Sequence, residues 1–215
     1  MDRREFLVTK RKDPQSRDSD KESVRTFSGL NPYNGPWTAN EVIHLLKRTM
    51  FGSTPEDIAH FSGLSMDQAV DQLLTTSSIP PSPPLKNYNT SAIDPADPDY
   101  YIPMGSTWVT TNTTSQDGAR RISFKAWWMG LLIKQERNIS EKMTLFWHNH
   151  FSTETNEVDR GIWAYQNNQL CRQYALGNFK QMVKAVTLDV AMLRYLNGHL
   201  NTAGAPDENY ARELQ

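Results

Sequence analysis

The chain has 215 residues, enough for one domain with a sizeable core and too few for a second of ordinary size. With 23 Lys and Arg against 24 Asp and Glu, its formal net charge is −1, so no global field draws nucleic acid or an anionic membrane. A single cysteine, Cys171, excludes an intrachain disulfide and any multi-cysteine metal site; the longest apolar run, Ala126 to Ile133, is far short of the ~20 residues of a membrane span.

The start, Asp2-Arg3-Arg4-Glu5-Phe6-Leu7, is similar to a twin-arginine export motif, but Lys10-Arg11-Lys12-Asp13 follows where an apolar stretch of ~7–15 residues is needed. Residues 1–30 therefore read as a disordered charged arm, and a cytoplasmic location is favoured for this chain. A helical domain is expected over 31–215. Thr38 with Glu41 forms a capping box before Ala39, Val42, Ile43, Leu46 and Met50, which share one helical face. Thr54-Pro55 opens a second helix that Gly63 closes, and Ser65 with Gln68 opens a third.

From about 77 to 114 the period disappears, and Pro80, Pro81, Pro83, Pro84, Pro95, Pro98 and Pro103 forbid a helix or central strand. A loop of this length is unusual inside a domain; its Tyr88, Tyr100, Tyr101 and Trp108 predict a packed insertion rather than a lid. The segment from about Gln116 to Arg137 is apolar nearly all round near Trp127-Trp128 and is expected to be the central, buried helix. Its Gly130 suggests close backbone packing at that position.

Ser140 is expected to cap a helix running toward Phe151; Trp163, Asn167, Leu170 and Tyr174 mark another that stops at Gly177. Phe179, Met182, Val183 and Val186 form the stripe of the next, and Asp189 caps a short helix ending at Asn197-Gly198. Asp207 caps a last pattern containing Tyr210 and Leu214, which ends without a stop signal and looks cut. No strand alternation, internal repeat, phosphate-cradling loop or nucleic-acid motif is present in the sequence. The fold class expected is all-α: an irregular multi-helix bundle around a central Trp-rich helix, with a long Pro-rich loop.

Two polar constellations invite chemistry. His148 and His150 are candidate metal ligands, imidazole being a common zinc ligand, although i and i+2 point about 200° apart on a helix and converge only if the helix ends near Asn149. If it continues, His150 lies on the face of Met143, Phe146 and Trp147, where a buried, hydrogen-bonded histidine is the simpler reading; a divalent metal such as zinc is not favoured. Glu208, Arg212 and Glu213 form the second set, explicable by helix capping and i, i+4 pairing, but able to supply a base and its orienter if folding brought them to His150.

Five segments together resemble the bacterial family known as domain of unknown function 1800. They are Leu45-Leu46-Lys47-Arg48-Thr49-Met50-Phe51-Gly52, Phe146-Trp147-His148-Asn149-His150-Phe151, Ala175-Leu176-Gly177-Asn178-Phe179, Asp189-Val190-Ala191-Met192-Leu193, and Glu208-Asn209-Tyr210-Ala211-Arg212-Glu213-Leu214. The likeness covers about Trp37 to Gln215 and corresponds to the amino-terminal portion of longer members; Asp207 departs from the family's usual asparagine. The resemblance implies a helical bacterial protein, often exported and often encoded beside a sulfatase-like protein. Two functions compete: an interaction module, or incomplete part of a larger protein, exposing an apolar patch at Tyr210 and Leu214; and a metal-dependent or acid/base hydrolase using His150 and Glu208. A degenerate gene fragment is the blander reading.

Overall fold

Local capping writes half of the described helix starts, those that follow Thr38, Thr54, Ser65, Asn178 and Asp189. In the computed structural model, which describes residues 32–75, 80–109, 114–206 and 208–213, α1 (Ala39–Thr49), α2 (Pro55–Ser62) and α3 (Met66–Leu74) each begin with a complete capping box, from Thr38 with Glu41, Thr54 with Asp57, and Ser65 with Gln68. Each box satisfies two backbone donors that the first turn leaves orphaned. The three apolar stripes then close on one another, burying Val42, Leu46, Met50, Phe61, Ala69 and Leu73. The expected arm at 1–30 and the ends of the long loop lie outside the described residues, as do Asp207 and Leu214. By its contacts the chain separates into two units, Met1–Gly35 and Pro36–Gln215, and every described helix belongs to the second.

The remaining helices are α4 (Asp117–Ile133), α5 (Ser140–His150), α6 (Thr155–Val158), α7 (Gly161–Gln173), α8 (Phe179–Thr187), α9 (Val190–Tyr195) and α10 (Glu208–Glu213). Among the described residues there are two isolated bridges and no sheet, so the fold is all-α. No described helix is long and apolar enough to cross a membrane.

The helix that gathers most neighbours is α7, packed against α4, α5, α6, α8 and α9, rather than the Trp-rich α4. Helix α4 buries Arg120, Ser123 and Phe124 but leaves Ile122, Met129 and Ile133 exposed, a stripe at helical spacing that composition alone could not distinguish from a buried one. Close approach occurs at Gly161 and not at Gly130. A Cβ on Gly161 would sit 2.6 Å from Arg120 Cβ and 3.1 Å from its carbonyl carbon, whereas one on Gly130 would meet nothing within 4 Å. Asp117 Oδ1 accepts the Gly161 N–H at 3.0 Å, fixing the α4–α7 contact at its tightest point.

The Pro-rich segment is a packed insertion. Trp108 is fully buried with Phe124, Ile162 and Ala164. Its indole N–H donates to Ser123 Oγ at 2.9 Å, and that hydroxyl donates to Leu85 O at 2.7 Å. Beneath it, Arg120 and Asp99, both fully buried, form a two-pronged ion pair, with Nε 3.1 Å from Oδ2. Tyr88 donates to the same oxygen at 2.5 Å, and Lys86 donates to Thr90 Oγ1, Asp99 O and Ile102 O at 2.6, 2.6 and 2.7 Å. Burial and the Asp99 carboxylate raise the Tyr88 phenol far above its ordinary range, so it remains a donor. Every charge here has a bonded partner, the condition under which buried charge is tolerated.

Candidate functional site

Helix α5 persists through His150, so its two imidazoles diverge. Their environments are the reverse of those expected. His148 is half-buried, edge-on to Trp128 of α4 at 4.9 Å between ring centres, and burial pushes its pKa below that of ordinary histidine. His150 is exposed rather than interior. Sequence periodicity places His150 with Phe146 and Trp147 correctly, but cannot show that α4 arrives on the other side, over His148. Ser140, the expected cap, instead opens α5 as its first residue, its N–H held by Asn138 Oδ1 at 3.0 Å.

His150 belongs to a set of touching rings. It stacks with Phe146 at 6.5 Å, meets Phe151 edge-on at 4.6 Å and lies 6.4 Å from Phe179, the first residue of α8. Phe179 stacks on Trp147 at 5.5 Å and on Phe151 at 6.3 Å. Trp147 is anchored by its indole N–H to Ala175 O at 3.1 Å, and Phe151 is buried with Cys171, Met182, Val186 and Met192. The upper layer is open: Phe146 and Phe179 are each 52% exposed. Segments from α5 and the start of α8 thus build an aromatic face with an imidazole in it.

The acidic set of α10 pairs within its own helix. Arg212 bridges Glu208 at 3.9 Å and Glu213 at 3.8 Å, and all three side chains are exposed. Among the described residues, no hydrogen bond or ion pair joins His150 to either glutamate. Among the same residues, no three His, Cys, Asp or Glu side chains gather as metal ligands, so His148 and His150 lack a third donor. Tyr210 is half-buried: its ring lies over Gly198, where a Cβ would be 2.6 Å from it, and its hydroxyl donates to Thr187 O, while Leu214, the other residue of the expected patch, lies outside the described residues.

Two further buried groups, Asp189 and Cys171, are structural. Asp189 caps α9, accepting Met192 N–H and Asn167 Nδ2 at 3.0 Å each, and burial raises its pKa. The buried Cys171 thiol is pushed up to about 12 by burial and then by Asp189, so it is not a nucleophile at neutral pH.

Sequence reading missed a groove between the proline segment and α4, α5 and α7, with a volume of about 930 Å³. Its polar floor includes Glu141 and Arg172, a nearly buried ion pair with Nη2 3.1 Å from Oε2. Arg172 also lies over the Trp127 ring, which is held by its N–H to Ser82 O at 2.7 Å. The available signal was the run Asn167, Asn168 and Arg172, polar residues at buried or half-buried positions of the helix that packs most.

No curated protein and no solved structure matches the chain. The profile of the family described as protein of unknown function (DUF1800) matches residues 44–215, most of the chain and every segment that carried the resemblance. The chain therefore belongs to the DUF1800 family.

Proposed function

We propose that this chain is a helical interaction module that docks a protein partner on the face formed by Phe146, His150 and Phe179. The supporting observation is the exposure of that face: half-exposed phenylalanines from two helices rest on a buried aromatic layer, giving large rigid contact area with little side-chain entropy to lose. Aromatic anchors of this kind dominate binding energy in protein interfaces, and apolar clusters rimmed by polar groups are where such interfaces form. Asn149 and Lys180, both exposed, supply polar neighbours in sequence on the two helices.

The occupant suggested by the family resemblance is a sulfatase-like protein encoded nearby. The test is titration of that purified protein against the wild-type chain and against Phe146→Ser with Phe179→Ser. The double variant is expected to bind at least ~10-fold more weakly, two interfacial phenylalanines being worth more than the ~1.4 kcal/mol that this factor represents. Equal binding by both would remove the face from the interface. A catalytic role for His150 with Glu208, Arg212 or Glu213, or a metal held by His148 and His150, has no supporting geometry among the described residues.

A further inference from the structure

The groove over α7 has the size and lining of a small-molecule site. Its volume of about 930 Å³ lies within the ~300–1,000 Å³ range of ligand clefts. Pro80, Pro81, Pro83, Trp127 and Leu131 provide apolar surface, so part of any ligand must present C–H groups. Trp127 is fixed in advance, tethered to Ser82 O and flanked by Tyr165 at 5.5 Å and by the Arg172 guanidinium at 5.9 Å.

The charges on the lining decide against an ion. Lys134 and Arg172 are matched by Glu136 and Glu141, and the inner pair, Arg172 with Glu141, is bonded to itself. A phosphate or carboxylate would therefore face an equal number of anions, and a cation an equal number of cations. Arg172 Nε has no partner of its own but sits in the guanidinium paired with Glu141; the other uncommitted groups are neutral and include the Ser140 hydroxyl, the exposed amide of Gln173 and the amide of Gln169, whose Nε2 has no partner, the two glutamines lying on the same face of α7 at i and i+4. Each amide offers a donor and an acceptor at one tip, matching a hydroxyl group, which both donates and accepts.

We propose that this groove binds a neutral, hydroxyl-rich ligand, a short oligosaccharide, with C–H faces of the sugar against the prolines and Trp127 and hydroxyls on Gln169 and Gln173. A peptide fits less well. No described strand edge borders the groove for backbone pairing, and among the described residues Trp127 is the one aromatic side chain in its lining, whereas polyproline recognition uses aromatic-lined grooves.

The experiment is saturation-transfer NMR and tryptophan fluorescence on the full chain with cellotriose, maltotriose and N,N′,N″-triacetylchitotriose, and with a Pro-Pro-containing tripeptide for comparison. At least one trisaccharide is expected to give saturable transfer and to perturb emission, with the emission change lost in Trp127→Phe. Gln169→Ala with Gln173→Ala is expected to weaken binding about 10-fold or more while leaving the melting temperature near wild type; Gln173→Ala alone, at an exposed position, guards against misfolding and should weaken binding in the same direction. No saturable signal from any trisaccharide up to about 10 mM, undiminished binding by the variants, or binding of the tripeptide alone would overturn the proposal.

Discussion

Two regions where aromatic rings meet ionisable side chains are built in opposite ways. Around Trp108 the charges are closed off: Arg120 and Asp99 are fully buried, bonded to each other and to Tyr88. Around His150 the rings are open, with Phe146 and Phe179 half-exposed and, among the described residues, no ion pair on the imidazole. A saturated, buried set holds a fold together, because removing any member leaves another uncompensated. An unsaturated, exposed set contributes little to stability and has contacts to give to something else.

That contrast is broken most severely by Arg120→Ala, which strands Asp99 in the interior and is expected to cost about 3–5 kcal/mol in denaturant unfolding. A near-neutral result would mean that the lock is not stabilising. Gly161→Ala is expected to cost less, about 1–3 kcal/mol, because the new methyl meets the backbone and Cβ of Arg120; Gly130→Ala should be neutral or slightly stabilising. Together these two alanine variants test whether the close approach of α4 and α7 lies where the contacts place it.

Asp97 gives a pH-dependent version of the test. Burial acts to raise its pKa, but hydrogen bonds from the Ser115 hydroxyl and N–H, the Thr114 hydroxyl and the Asp99 N–H outweigh it and hold the carboxyl well below the usual carboxylate range. A carboxyl lowered on folding stabilises above its unfolded pKa of ~3.9, and that contribution is lost as pH falls through the folded value. Asp97→Asn should therefore destabilise at pH 7, with the gap to wild type narrowing below about pH 4. A gap independent of pH would show that the carboxylate charge is irrelevant. A small stability effect is expected at the open face, where Phe146→Ser with Phe179→Ser should stay within about 1–2 kcal/mol of wild type while binding of the proposed partner falls.

Features encoded within one turn of chain were legible in the sequence. Thr38 with Glu41, Thr54, Ser65 with Gln68, and Asp189 cap helices as their local sequence indicates, since each bond spans only two or three residues; Ser140 is the exception, being the first residue of α5 and not its cap. Val42, Leu46 and Met50 are buried as their spacing required. Features that depend on which element arrives from a distance were not. Nothing local tells Gly161 from Gly130, places α4 over His148 instead of His150, or joins Asp99 to Arg120 across 21 positions and Glu141 to Arg172 across 31. The apolar composition of α4 suggested a helix buried all round, yet Met129 and Ile133 are exposed, because composition reports what a helix can bury and not what covers it.

The most direct measurement of the proposed docking face is amide hydrogen exchange on the chain with and without the purified sulfatase-like protein proposed as its partner. Protection is expected in the peptides spanning 146–151 and 176–183, with the buried region around Trp108 unchanged. Protection confined to other segments, with exchange at the aromatic face unaltered, would contradict it.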